Sequence, residues 1–502
     1  MSARARRGIR VVLVALGLVL AVAGLAAARP GGGQSYSGGG GHSSGGGGYS
    51  GGGGNSSGSG GAALFQLIYW LFQFIFNYPQ IGLPIIAIVI AYFVYAAWKQ
   101  HKNRDWDSGP PVELARTVDA NRLKDVDPDF SKSLFEDFAF RLFATAQRLR
   151  HSEATLDQIA PYVSAGARAA LLARAPTGQP VQAVVVGAMR THAVSIPDGD
   201  DANVLVGIEY EANVTVAAAT YFSVERWTFA RSKAARTKPP NPARGFPCPN
   251  CGAPWSARDT GTQVCASCGQ VVDNGRFDWV VTQVSVRSID QRPPTLTEEV
   301  EERGTDLPTY SDAASDERWA ELEQADPAVD GDTFHARLTL IYNEMNKAWS
   351  ANDLAPARGL VTDGLFDYLS YWTTAYQQQR LRNVLADMRI EKTELAKVDK
   401  DRWFDAVTVR IWATGKDYVI RVPEGSLVRG SKRTERAYSE YWTLIRSVAR
   451  KGTPTAEPVC SNCGAPLAVT QSGECSHCNA HVTLGEFDWV LSKIEQDDSY
   501  RG

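Results

Sequence analysis

The 502-residue sequence contains no nucleophile elbow, no phosphate-binding glycine loop and no histidine–carboxylate pair that recurs along the chain. Those gaps leave an enzyme reading with little to stand on. Glu225 and Glu440 do occupy matching positions, but one carboxylate on a strand ordinarily serves structure as a hydrogen-bond acceptor. Net charge is nearly balanced, 52 Lys and Arg against 55 Asp and Glu, a formal −3. No global field therefore draws the chain to nucleic acid or to an acidic partner, and any such role must come from a local patch. Cysteine is missing from most of the chain. All eight cysteines fall in two short clusters, which leaves none for a disulfide framework elsewhere. Apolar content of 44% and charged content of 21% are those of ordinary globular domains. The length corresponds to about two to four domains.

Glycine is the one excess, and 18 of its 45 copies lie between Gly31 and Gly61. That stretch is Gly and Ser with a few Tyr, His and Asn, too polar to offset the entropy of ordering, and reads as a flexible tether over 29–63, with His42 a solvated residue in it. Before it stand Arg4, Arg6, Arg7 and Arg10, then an apolar run from Val11 to Ala28 ending in three alanines. A basic start, an apolar middle and small residues at the end describe a signal peptide over 1–28, with an uncleaved anchor as the alternative. Residues 64–98 are apolar again and break at Asn77-Tyr78-Pro79. The half from Ile81 to Trp98 carries no charge and is followed by Lys99, Lys102 and Arg104, which predicts a transmembrane helix with a cytoplasmic basic flank. The half from Leu64 to Phe76 is too short to span and is expected to lie in the interface. A buried helical hairpin is the alternative for the pair. This topology places the protein in a bacterial inner membrane, with the tether outside and everything after the juxtamembrane segment 99–126 cytoplasmic.

The rest of the chain is written twice. Glu225-Arg226-Trp227-Thr228 matches Glu440-Tyr441-Trp442-Thr443, with Arg231 and Arg446 following; Cys248-Pro249-Asn250-Cys251-Gly252-Ala253-Pro254 matches Cys460-Ser461-Asn462-Cys463-Gly464-Ala465-Pro466; Phe277-Asp278-Trp279-Val280 matches Phe487-Asp488-Trp489-Val490. Order and spacing are kept, so the segment is duplicated. Each copy begins near an Asp-Pro pair, Asp127-Pro128 and Asp326-Pro327. Helical periodicity follows: Phe135, Phe138, Leu142, Ala146 and Leu149 share one face, as do Phe334, Leu338, Ile341, Tyr342, Met345 and Trp349. A second helical stretch holds Leu156, Ile159, Tyr162 and Val163, and in the other copy Leu354, Leu360, Leu365 and Leu369. Strands are expected around Val204–Tyr210, Trp227 and Trp279–Val286, and around Val407–Ile411, Trp442 and Trp489–Ile494. Helices first and a largely antiparallel sheet after them make each copy an α+β domain, over 127–289 and 326–496. The acidic linker 290–325 should hold at most a short helix near Trp319.

Cys248, Cys251, Cys265 and Cys268 are spaced C-x2-C-x13-C-x2-C, and Cys460, Cys463, Cys475 and Cys478 are spaced C-x2-C-x11-C-x2-C. Two such pairs close a tetrahedron of thiolates round one Zn2+, so two zinc ribbons are expected, over 246–270 and 458–480. Gly252, Gly269, Gly464 and Asn479 follow the second cysteine of each pair, where the knuckle turn needs positive φ. Four thiolates leave no open position, so the metal is structural; His477 and His481 are the alternative donors in the second ribbon. Each ribbon falls between the Trp-Thr strand and the Phe-Asp-Trp strand, an insertion expected to project from the last hairpin.

The Asp-Pro start with its aromatic helix, notably Asp127-Pro128-Asp129-Phe130, and the closing Glu-x-Trp-Thr-x-x-Arg strand resemble the Tim-forty-four-like domain family. The family is named for a membrane-bound adaptor subunit of the mitochondrial inner-membrane protein translocase. The resemblance covers roughly Asp127 to Ile289 and Asp326 to Ile494, and implies the cone-shaped α+β fold of nuclear transport factor two. It also implies association with the membrane and with protein partners near translocation machinery. On this reading the chain is a non-enzymatic adaptor with two structural zinc ions and no small-molecule substrate. The second reading is nucleic-acid or anionic-lipid binding through the ribbons and the basic run Arg226, Arg231, Lys233, Arg236, Lys238 and Arg244, echoed by Arg446, Arg450 and Lys451. A ligand-binding or catalytic cone cavity comes third.

Overall fold

The computed structural model describes residues 118–199, 202–240, 245–259, 263–291, 304–470, 473–480 and 482–497, with Tyr500, Gly502 and, upstream, only Ala91, Tyr92 and Val94. The expected signal segment 1–28 and tether 29–63 lie outside the described residues, as do residues 99–117 and all of 64–98 but those three. No helix among the described residues is long and apolar enough to cross a membrane.

The first copy opens with helix α1 (Lys132–Leu149), started by Ser131, whose hydroxyl accepts the Leu134 N–H at 3.1 Å. Phe135, Ala139, Leu142, Phe143 and Ala146 recur at helical spacing on its buried face. The second helical stretch is broken rather than continuous. A single turn, α2 (Glu153–Leu156), runs into a 3-10 turn (Asp157–Tyr162) that contains Pro161, and helix α3 (Ala165–Ala173) restarts behind a Ser164 cap. Four strands follow as an antiparallel meander in the order β1-β2-β3-β4: β1 (Val181–Ser195), β2 (Asn203–Val216), β3 (Ala219–Ser232) and β4 (Val280–Gln291).

The second copy repeats the plan behind an added helix, α4 (Ser315–Ala325), which sits at the expected place near Trp319. Helix α5 (Gly331–Ala351) has a reciprocal capping box between Asp330 and Thr333 and stops at Asn352 in the left-handed region, φ 59°. A 3-10 turn (Ala355–Leu360) and helix α6 (Asp363–Gln378) complete the helical layer. The sheet has strands β5 (Leu381–Lys400), β6 (Phe404–Arg421), β7 (Leu427–Gly430), β8 (Arg436–Ser447) and β9 (Val490–Gln496), in the order β5-β6-β8-β9 with β7 on β6. Both copies are thus helices packed on an antiparallel sheet. The expected strand starts at Trp279 and Trp489 shift by one residue: the pairing begins at Val280 and Val490, and each tryptophan N–H is taken by the aspartate before it, at 2.9 and 2.8 Å.

The Asp-Pro start, the Glu-x-Trp-Thr-x-x-Arg strand and the Phe-Asp-Trp run, far apart in sequence, meet in one buried knot in each copy. In the first, the Asp127 carboxylate holds Arg231 at 2.7 Å, Arg231 lies 4.6 Å over the Trp279 ring, and Phe135 packs 4.8 Å from the same ring. In the second, Asp326 holds Arg446 at 3.1 Å, Arg446 lies 4.9 Å over Trp489, and Phe334 packs 5.3 Å from it. The aspartate of the Asp-Pro start is therefore a buried counter-ion, satisfied further by Thr237 in one copy and by the Gly452 N–H in the other. The recurring Glu225 is also an internal acceptor, taking hydrogen bonds from Gln147, Arg174, Ser223 and the Trp227 indole. Glu440 takes the Trp442 indole N–H and the Gln496 amide.

The sheet faces turned away from the helices differ. In the first copy Glu209 pairs with Arg226, and Glu211 with Arg190, a charge ladder suited to water. In the second copy the strand position of Glu209 is taken by Arg410, which is buried. Its guanidinium donates to the carbonyls of Gly304, Thr305 and Leu307, pairs with Asp497 at 3.0 Å and lies 4.5 Å over Trp412. Residues 304–310 of the linker and the end of the chain, with Tyr500 stacked 4.0 Å on Tyr441, thus cover this face.

The copies also touch each other. Arg402 reaches Asp129 at 2.7 Å, Lys124 reaches the Lys400 carbonyl at 3.0 Å, and Lys493 pairs with Glu136 at 2.5 Å. Burial pushes the Glu136 carboxyl up, but Lys493 and Lys132 outweigh it and hold the group below the usual carboxylate range. A depressed carboxyl stabilises the fold above its unfolded pKa and stops doing so as pH falls through the folded value. Glu136→Gln is therefore expected to cost about 1–2 kcal/mol in denaturant titrations at neutral pH. The difference from the parent should begin to shrink as pH falls through the ordinary carboxylate value of about 4.3 and vanish only below the lowered folded value. An equal cost at both pH values would mean that the contact is not electrostatic.

Candidate metal centres

Each cysteine cluster occupies the connection between the last two strands of its sheet, β3 to β4 and β8 to β9. Within it, each cysteine pair turns through a tight knuckle. The N–H of the residue after the second cysteine returns to the carbonyl of the first: Gly252 to Cys248 at 2.9 Å, and Gly269 to Cys265, Gly464 to Cys460 and Asn479 to Cys475 at 2.8 Å. The four residues have φ of 74°, 70°, 73° and 58°, the left-handed values expected from Gly, Gly, Gly and Asn. Short bridges, Ala257 to Cys265 and Val469 to Cys475, hold the second knuckle against the chain before it.

The result is two sets of four converging sulfurs. In each, the four Sγ atoms lie within 4.8 Å of one another, Cys248, Cys251, Cys265 and Cys268 in one, Cys460, Cys463, Cys475 and Cys478 in the other. The Sγ–Sγ separations of 3.8 Å for Cys248–Cys268 and 3.9 Å for Cys460–Cys478 approach the tetrahedral edge of about 3.8 Å that a Zn–S bond of about 2.3 Å requires. In both clusters the first and third cysteines are buried, the second is exposed and the fourth lies between. A small apolar core backs each set: Val272, Trp255 and Phe277 in the first, Val482, Val469 and Phe487 in the second.

The thiols are not equivalent. Burial pushes Cys248 and Cys460 up to about 12. The Asn250 amide, donating to Cys268 Sγ at 3.4 Å, brings that thiol down to about 6. The Ala480 N–H, followed by the Asn462 amide at 3.4 Å, does the same for Cys478. Asn250 and Asn462 are thus sulfur-stabilising residues that sequence reasoning aligned without giving them a role. The signal was there, an Asn just before the second cysteine in both copies. His477 is exposed and its backbone N–H, not its ring, meets the cluster, donating to Cys475 Sγ at 3.4 Å. His481 lies outside the described residues.

The sequence predicts clusters that project from the last hairpin; in the structure they lean instead on the rest of the domain. Each folds back on the 3-10 turn of its own helical layer. In the first copy the Trp255 indole donates to the Asp157 carbonyl at 2.8 Å and Tyr162 donates to the Pro247 carbonyl at 2.7 Å. In the second, Leu467 and Val469 press on Gly359, where a Cβ would stand 2.8 and 2.9 Å from their methyl carbons. Gly359→Val is expected to prise the second cluster from its seat and cost about 1–3 kcal/mol, measured by denaturant unfolding. Metal content should stay unchanged, because no sulfur moves off its knuckle.

The basic run before the first cluster is mostly engaged internally. Arg231 is buried on Asp127, Arg226 pairs with Glu209, Lys233 binds the Pro197 and Gly199 carbonyls, Arg236 the Val126 carbonyl and Lys238 the Pro249 carbonyl. Arg244 lies outside the described residues. In the second copy Arg446 is buried on Asp326 and Arg450 donates to the Phe487 carbonyl.

No curated protein matches the chain. Residues 315–455, which run from α4 to just before the second cysteine cluster, match the family model of the Tim44-like domain.

Proposed function

We propose that the chain is a membrane-anchored, non-enzymatic adaptor that binds protein partners through two Tim44-like domains, residues 127–289 and 326–496, each braced by a structural zinc ribbon. The family match over 315–455 carries this reading. The uncharged run from Ile81 to Trp98 supports the anchor, and the basic flank after it supports a cytoplasmic body at a bacterial inner membrane. Protein translocation is the setting that the family name suggests.

Zinc fits the eight cysteines better than a harder ion does, since thiolates are soft donors. Four thiolates also fill the tetrahedron, so no position is left for a substrate or an activated water. The metal acts by holding the chain between the last two strands against the helical layer. The adaptor is then a rigid pair rather than two beads on a string, because Glu136, Asp129 and Lys124 of one copy engage Lys493, Arg402 and Lys400 of the other. The nucleic-acid reading stands second, since Arg231 and Arg446 of the basic run are buried on Asp127 and Asp326.

The test is in-cell crosslinking followed by pull-down of the full-length chain. A small set of membrane or envelope proteins, lost when 458–480 is replaced by a short linker, is the expected result. Recovery of RNA or DNA that washes off with salt would overturn the protein-adaptor reading.

A further inference from the structure

Two arginines meet at helix ends inside the first domain. Arg150 follows the last residue of α1 and Arg174 the last residue of α3, and they are only 1% and 4% exposed. Arg150 donates through Nη1 to the Arg174 carbonyl and, at 2.9 Å, to the Pro176 carbonyl. Arg174 pairs through Nε with the buried Glu225 carboxylate at 2.5 Å and donates through Nη1 to the Ala175 carbonyl. Glu225 is shared further with Gln147, Ser223 and the Trp227 indole.

The pair is short of one negative charge. Among the described residues no carboxylate forms an ion pair with Arg150, so two buried guanidiniums share the single charge of Glu225. Burial, and after it the Arg174 charge, bring Arg150 down to about 10, with Glu225 opposing them. It remains a cation at neutral pH. Buried arginines elsewhere, Arg231, Arg337, Arg410 and Arg446, each have an aspartate of their own. Arg150 Nε and Nη2 and Arg174 Nη2 are also buried, and among the described residues they meet no acceptor. A helix C-terminus favours a cation through its carbonyls, but these three N–H groups are left over. The fold does not need the arrangement. The second domain has Trp349 at the same step after Phe334 as Arg150 is after Phe135, and its indole is satisfied by Asn383 at 2.6 Å.

The open atoms define what completes them. Nε and Nη2 lie on one edge of a guanidinium, at the spacing of the two oxygens of a carboxylate, and this whole edge of Arg150 is open. A deficit of one charge calls for a monoanion, which a carboxylate is and a phosphate dianion is not. Chloride would use a single point of the fork. Donors this deeply buried admit only a small occupant. We propose that the first domain binds one small free monocarboxylate, held by the Nε–Nη2 edge of Arg150 on both of its oxygens and by Arg174 Nη2 on one of them. The mostly exposed turn 175–180, whose Pro176 carbonyl Arg150 holds, borders the site and is its way in. The ligand is independent of the adaptor role and of both metal centres.

The test is equilibrium dialysis of the full chain in detergent against radiolabelled acetate and formate, in buffer free of chloride and of other carboxylates. One saturable site per chain is expected. Arg150→Lys keeps the charge but loses the fork and should weaken binding by about tenfold or more. Arg150→Trp, with the side chain that the second domain carries there, should abolish it, with metal content and hydrogen exchange elsewhere unchanged as the check on folding. In the parent, acetate should slow exchange of the amides of 149–151 and 174–180, with its half-effect at the concentration that half-fills the site. That measurement stands even where a variant fails to fold. No saturable uptake by the folded parent, or uptake with no slowing at 174–180, overturns the proposal. So does binding that both variants retain, or a site that takes chloride or inorganic phosphate and yields neither to acetate.

Discussion

A strong chelator is expected to strip two Zn2+ from each chain and to unfold 246–270 and 458–480. Among the described residues of those segments, little besides the cysteines holds the chain together. Their apolar cores amount to a few side chains around Cys248 and Cys265, or Cys460 and Cys475, far too few to offset the entropy of ordering the loops. Structural zinc on thiolates contributes about 10–16 kcal/mol, so its removal outweighs any single side-chain change in the protein. Damage should spread inward through the Trp255 and Tyr162 hydrogen bonds and the Leu467 contact on Gly359. Metal count by mass spectrometry and exchange of the cluster amides are the measurements. A count near zero in protein made in a reducing cytoplasm, or protection that survives the chelator, would remove the ribbon reading.

Arg446→Met is expected to destabilise the second domain by about 3–5 kcal/mol in denaturant unfolding. The guanidinium is enclosed between the Asp326 carboxylate and the Trp489 ring, so its loss leaves a buried carboxylate without its counter-ion. The matching control is the double variant with Asp326→Asn, which removes the stranded charge and should regain a large part of the loss. A single variant that costs under about 1 kcal/mol would show the pair to be dispensable. Arg231→Met tests the same knot in the first domain, where Asp127 also accepts from Thr237 and a smaller loss is expected.

What the sequence made legible follows from what each residue had to do. The amphipathic faces of α1 and α5 could be read directly, because one face of each meets a sheet. The cysteine knuckles could be read because few residues tolerate their φ. Strands β1 and β5 escaped notice for a physical reason. Each carries three register shifts against its partner, and every shift resets the alternation on which a strand is recognised. The 3-10 turn at Asp157–Tyr162 was merged with its neighbours because its apolar residues continue the helical pattern through Pro161. The knot of Asp, Arg and Trp was visible as three motifs but not as one contact, since sequence spacing carries no information on which segments meet. Arg231 and Arg446 read as members of a basic run because a sequence does not distinguish a guanidinium that faces water from one on a buried aspartate.

The cover over Arg410 sets an order on synthesis. The first domain has all of its strands once β4 has been made, so it can close while the second is still being translated. The second cannot. Its buried guanidinium rests on Gly304, Thr305 and Leu307, made before the domain, and on Asp497, made after all of its strands. A chain released before Asp497, even one with every strand intact, would leave this buried guanidinium without its carboxylate.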